Sequence, residues 1–197
     1  MTERSLTDFE HVLVGFIARS PSTTYDLKKL FADSPASVYQ PSAGALVPAL
    51  RRLEHRGYLH VHDDLGARKR RIYAATTKGR LAHLEWLRQP VAPEHVGRDL
   101  GVHLMRFVMM EPELSRTEVL RFLTDLAGAL EYFVARIEDY VATTSFPGRH
   151  PSLALGHGVA VHRASLEWVR ASMDALRISG EAASSTPGQW CGSGPPS

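Results

Sequence analysis

The chain has 197 residues, with 23 Lys+Arg against 21 Asp+Glu and a net charge of +2, which is length enough for a real core in one or two domains. No apolar run approaches the ~20 residues that span a bilayer, the opening MTERSLTDFE lacks the apolar stretch of a secretory signal, and the single Cys191 cannot form an internal disulfide, so a cytoplasmic, reducing location is expected. Charge is uneven: residues 1–89 hold 14 Lys+Arg against 9 Asp+Glu, and residues 90–197 hold 9 against 12, so the first half suits a polyanion and the second some other task.

Leu6 to Arg19 predicts a first helix, capped by Thr7 or Ser5, with Phe9, Val12, Leu13, Phe16 and Ile17 inward. Ser20-Pro21-Ser22 stops it. TTYDLKKLFA predicts a second helix to about Ala32, with Leu27, Leu30 and Phe31 inward and Tyr25, Lys28 and Lys29 outward. A loop from Asp33 to Pro41 leads to a third helix over Ser42–Gly57. There Leu46, Leu50 and Leu53 form one apolar stripe. Ala45, Pro48, Arg51, Arg52 and His55 lie opposite, small at first and cationic further on. Small residues permit close approach to another surface, and arginines suit phosphates or guanine edges. Gly57 closes the helix.

Leu59 and Val61 alternate with His60 and His62, which is a strand signature. Asp63 to Gly66 reads as a turn, and Arg68-Lys69-Arg70-Arg71-Ile72-Tyr73 opens a second strand ending near Ala75. Successive strand residues face opposite ways, so all four cations share one partner only if part of the tract lies in the turn. Three helices and a hairpin are the order of a winged helix-turn-helix.

Thr76 caps a fourth helix to about Gln89 with Leu81, Leu84 and Leu87 on one side, and Pro90 and Pro93 mark a boundary. A fifth helix, Glu94 to Met110, is apolar at Leu100, Leu104, Phe107 and Val108. The sixth, Ser115 to Thr143, keeps a heptad spacing through Leu120, Leu123, Ala127, Leu130, Val134, Ile137 and Val141. A second stripe beside it makes a face wide enough for more than one partner. The last helix, Pro151 to Leu176, repeats the spacing at Val159, His162, Leu166, Val169, Met173 and Leu176. The remaining segment is small, polar and proline-rich, the composition of a disordered tail.

The stretches TTYDLKKLF, PSAGALVPALRRLEHRGYL and GARKRRIYAATTKGRLAHLEWL resemble the PadR family of bacterial transcriptional regulators. Tyr73, Thr76, Gly79 and Arg80 fall where that family carries its wing tyrosine, threonine and Gly-Arg pair. The likeness covers about residues 8–90, and the remainder, with its Ser165-Leu166-Glu167-Trp168 run, is similar to the longer subgroup. The resemblance implies a mainly α protein with a small β-hairpin. A winged helix-turn-helix domain (1–90) would precede an α-helical dimerisation domain (91–177) and a disordered tail (178–197).

It further implies a homodimer on a palindromic operator, repressing transcription until a small aromatic effector releases it. DNA contacts are expected from Tyr25, Lys28, Ser42, Ala43, Ala45, Pro48, Arg51, Arg52, Arg68, Lys69, Arg70, Arg71 and Tyr73. The dimer interface is expected at Leu13, Leu130, Val134, Val159, His162, Leu166, Val169 and Met173. Trp86, Phe107 and Trp168 are candidates to line an effector cleft. One departure is Val47, where members usually carry a tyrosine that touches the DNA backbone; its loss would remove a contact of about 1 kcal/mol.

No cofactor is implied. His60 and His62 share a strand face, with Asp63 and Asp64 following, but no third ligand is fixed by spacing, so no metal site is assigned. Phosphate-binding, dinucleotide, metalloprotease and nucleophile-elbow motifs are all missing, so no enzyme is expected. The alternatives are a protein-binding winged-helix adaptor, which has no need of arginines on both the third helix and the wing, and a small enzyme without a recognisable motif.

Overall fold

The computed structural model describes residues 4–33, 44–64 and 70–184. Among these residues, seven helices and a three-stranded sheet follow the order α1 (Asp8–Arg19), β1 (Ser22–Thr23), α2 (Thr24–Asp33), α3 (Leu46–His55), β2 (Leu59–Asp64), β3 (Arg70–Ala75), α4 (Thr77–Leu87), α5 (Val96–Met110), α6 (Arg116–Thr143) and α7 (His150–Ser184). The protein is mainly helical with a small antiparallel sheet, as the sequence predicts.

Local chemistry sets the helix starts. Thr7 and Ser115 form capping boxes with Glu10 and Glu118, each side chain satisfying backbone donors of the first turn. Thr76 accepts from the Gly79 amide at the start of α4. The end of α3 is a Schellman turn: Tyr58 N donates to Leu53 O and Gly57 N to Glu54 O, with Gly57 at φ +74°. A side chain at Gly57 would be strained there. Pro48 is the third residue of α3, where an amide has no helical partner in any case, so it causes no kink.

The sheet has the order β1-β3-β2, with Val61 opposite Tyr73 and Ser22 on Tyr73's other side. The hairpin is therefore part of a larger unit than expected. Ser22, read as part of an interhelical break, and Thr23, read as the start of the second helix, add a third strand. Asp63 and Asp64 belong to β2 rather than to a turn.

One apolar core runs through both halves of the chain. It joins Val12, Leu13, Ile17, Leu27, Leu50 and Leu53 of the first three helices to Trp86, Met109, Leu126 and Val169 further on. Several expected core positions face out instead: Leu30, Leu81 and Val108 are exposed, while His83, His103 and Arg106 turn inward on the same helices. Three arginines brace the packing by donating to carbonyls at the ends of other helices. Arg80 reaches Ala18 O at 2.9 Å, Arg106 reaches Leu87 O at 3.0 Å and also Gln89 O, and Arg19 reaches Met109 O at 2.9 Å and also Glu111 O.

The C-terminal helices use their heptad stripes on each other. Leu13, Leu130, Val134, His162, Leu166 and Val169 are all buried within the single chain, and Val159 and Met173 are partly buried. Within the single chain, the α6 and α7 members of this set pack on each other along those stripes, and Leu13 packs in the core from α1. The helix α7 also continues to Ser184, through residues expected to begin a disordered tail.

Candidate nucleic-acid interface

The outer face of α3 is built by its inner one. Leu46, Ala49, Leu50 and Leu53 are buried, which fixes Pro48, Arg51, Arg52 and His55 on the exposed side and leaves Ala45 and Val47 half-buried. Arg51 makes no hydrogen bond or ion pair among the described residues. Arg52 does: its Nε donates to Glu10 Oε1 at 2.8 Å, with Glu10 only 4% exposed. Burial pushes the Glu10 carboxyl up, but hydrogen bonds from Thr7 and Arg52 outweigh this and hold it below its ordinary value. Glu10 stays ionised, and Arg52 braces α3 against α1.

On the wing, Arg70 and Arg71 are exposed at the start of β3. Arg71 Nη2 donates to Glu54 Oε1 and Oε2 at 2.8 and 3.0 Å, tying the wing to α3. Tyr73 is a correction to the expected contacts. It is 3% exposed, between β1 and β2, and its ring carries the Arg71 guanidinium 5.7 Å from its centroid. On α2, Tyr25 is 73% exposed and Lys28 is also on the surface. Ser42, Ala43, Arg68 and Lys69 lie outside the described residues. The Asp26 side chain accepts from Thr23 Oγ1 at 2.7 Å and from the Thr23 amide at 3.0 Å, so the first turn of α2 is locally fixed.

Behind this face sits a buried polar joint between α1, α4 and α5. Trp86 Nε1 donates to Asp8 Oδ1 at 2.9 Å, the His11 ring stacks on the indole at 5.4 Å, and His83 Nδ1 lies 3.0 Å from His11 O. Burial, with the nearby His83, lowers His11 to about 4. Burial and the Arg106 charge lower His103 to about 4, and burial lowers Arg106 itself to about 10. This joint is not legible in the sequence, since its members come from three helices far apart in the chain. The proposed aromatic cleft is not formed as expected: Trp86 is buried in the joint, while Phe107 and Trp168 pair edge-to-face at 5.3 Å elsewhere.

A three-helix unit whose third helix presents a cationic outer face, followed by a hairpin with cations next to its turn, is the architecture of a winged helix-turn-helix DNA-binding domain. Residues 13–85 match the family model described as the transcriptional regulator PadR-like family. The chain thus carries a PadR-like domain over those residues.

Comparison with curated proteins finds no match. Among solved structures, Bacillus subtilis PadR in complex with operator DNA is similar at 16% identity and a TM-score of 0.42, over 86% of this chain and 99% of that one. The PadR-like transcriptional regulator of Bacillus cereus gives 20% and 0.41 over 89% and 99%. Bacillus subtilis PadR in complex with p-coumaric acid gives 17% and 0.40 over 87% and 99%. No helix among the described residues is long and apolar enough to cross a membrane.

Proposed function

We propose that the chain acts as a homodimeric repressor on a palindromic operator, read by α3 and flanked by the wing, and that a small aromatic acid releases it. The observation that carries this reading is Arg51. It is exposed on the outer face of α3, beside Pro48, and no described residue holds it, whereas its neighbour Arg52 is anchored to Glu10. A guanidinium so placed suits bidentate contact with a guanine edge. Arg70 and Arg71 then lie over phosphates.

A second stripe on α7 supports dimerisation. Val161, Ala164, Trp168, Ala171, Ala175 and Ile178 recur at three- and four-residue spacing and are all exposed, two residues out of phase with the stripe packed on α6. Small residues alternating with Trp168 and Ile178 suit a close helix–helix seam. Two copies joined there would present two reading helices to half-sites roughly 34 Å apart.

For the effector, a cleft of about 300 Å³ lies where the end of α4 meets α6, lined by Leu87, Arg88, Pro90, Arg121 and Phe122 among others. That volume is at the small end of ligand sites. Phe122 offers an aromatic floor, and Arg121 and Arg88 offer cations, though Arg88 Nε already donates to Glu118 at 2.9 Å.

A mobility-shift assay with the DNA upstream of this protein's own gene tests the reading. Specific binding that weakens steeply with salt is expected. Binding that is absent, or indifferent to salt, would sink it. Small aromatic acids added to the shifted complex test release, and Arg121→Ala should blunt the response.

A further inference from the structure

One ion pair joins the recognition helix to the wing. Arg71 Nη2 donates to both oxygens of the Glu54 carboxylate. A guanidinium on a two-oxygen anion is the arrangement arginine also adopts on phosphate. The Tyr73 ring beneath the guanidinium, itself buried between two strands, limits where Arg71 can go. The other carboxylate–arginine pair of this face differs in one respect. Glu10 is 4% exposed at its side chain, so its hold on Arg52 is closed to solvent on one side, whereas the Arg71 and Glu54 side chains are 50% and 33% exposed. An open pair of this kind is weak and can exchange partners.

We propose that Glu54 is a positioning residue that stands in for a DNA phosphate and withholds Arg71 from sequence-independent binding. The inference rests on the DNA-binding reading of α3 and the wing. Affinity for arbitrary duplex grows with the number of phosphates that cations neutralise, each releasing condensed counterions. A guanidinium already neutralised by a carboxylate adds nothing to that count until its pair breaks. Glu54 therefore lowers the background affinity and leaves base-edge contacts from Arg51 untouched. Since a regulator is set by the ratio of specific to non-specific binding, the carboxylate raises discrimination.

The test uses the full chain and a labelled random-sequence duplex of about 30 base pairs, long enough for two half-sites a helical turn apart. Anisotropy titrations between roughly 50 and 300 mM NaCl give both affinity and its salt slope. Glu54→Gln keeps an oxygen acceptor and the side-chain shape, and loss of one surface pair leaves the fold intact. It should bind about 5- to 10-fold tighter at 100 mM salt, with a slope steeper by about 0.9 for each added phosphate contact. In an Arg71→Ala background the same change should have little effect. An unchanged slope in Glu54→Gln overturns the inference, as does a gain that survives without Arg71. Wild-type protein that binds no duplex in a salt-dependent way would instead overturn the DNA-binding reading, and this one with it.

Discussion

Arg52 Nε and Glu10 Oε1 lie 2.8 Å apart, the guanidinium half in solvent and the carboxylate almost wholly buried. Adjacent arginines on one helix thus have different jobs. Arg52→Ala leaves a buried carboxylate without its cation, and should lower unfolding free energy by about 1–3 kcal/mol. Arg51→Ala removes no described contact and should stay within about 0.5 kcal/mol of wild type. Urea unfolding of the two variants separates them. On DNA the order reverses: Arg51→Ala should lose sequence preference, and Arg52→Ala should keep it wherever the fold persists.

The buried histidines make stability depend on pH. His11 and His103 are both lowered to about 4, first by burial and then by the charges of His83 and Arg106 respectively, with Asp8 near both opposing the shift. Unfolded histidine takes up its proton near 6.5. The folded state resists protonation, so the stabilisation is complete above about pH 6.5 and is lost as pH falls toward 4. Between pH 7.5 and 5 each histidine should cost roughly 1–2 kcal/mol. Thermal melts across that range should show a falling midpoint. His103→Leu should flatten the fall, since a group that cannot titrate contributes no slope.

The helices were legible where a single residue type settles a boundary. Thr76 is a cap that sequence alone places, Thr7 is one of the two candidates it offers for α1, and Gly57 is a helix end that only a residue tolerant of positive φ fills. The PadR likeness was legible for the same reason, because its motifs sit on those boundaries. What stayed hidden depends on partners distant in sequence. Ser22 and Thr23 form a strand only because β3 lies beside them, and that pairing buries Tyr73 instead of offering it to DNA. The stripe that α7 packs on α6 was hidden for a geometric reason: α7 has two stripes at heptad spacing, and periodicity cannot say which one the chain keeps for itself. Arg52 belonged to Glu10 across 42 residues, a distance no local pattern reports.

Arg106 is the strut between the reading head and the C-terminal helices. It is 3% exposed, donates to Leu87 O and Gln89 O at the end of α4, and places its guanidinium 4.9 Å from the Phe122 centroid on α6. Arg106→Ala opens a cavity and orphans two carbonyls, and should cost about 2–4 kcal/mol. Arg106→Lys should not restore stability, because a compact, strongly hydrated ammonium is costlier to bury and cannot lie flat on the rings. Trp86, 5.9 Å from the same guanidinium, reports the change: its fluorescence should red-shift in either variant as water enters the joint.

The exposed stripe of α7 carries the last prediction. Trp168 is 37% exposed and its ring also packs edge-to-face on Phe107, so part of it serves the fold and part is open to a partner. Substituting Trp168 itself would confuse the two roles. Val161 and Ala171 flank it on the same stripe, one turn or two away, and both are exposed. Ala171→Glu and Val161→Glu place a charge in the seam without touching the core stripe of Leu166 and Val169. A charge desolvated at a helix–helix contact without a partner costs several kcal/mol, and two-fold symmetry doubles the insult. The double variant should therefore sediment as a monomer with an unchanged far-ultraviolet spectrum. If dimers form through this seam, operator affinity should fall with the loss of the second reading helix, while binding to a single half-site persists. A double variant that remains a dimer would place the seam on another face.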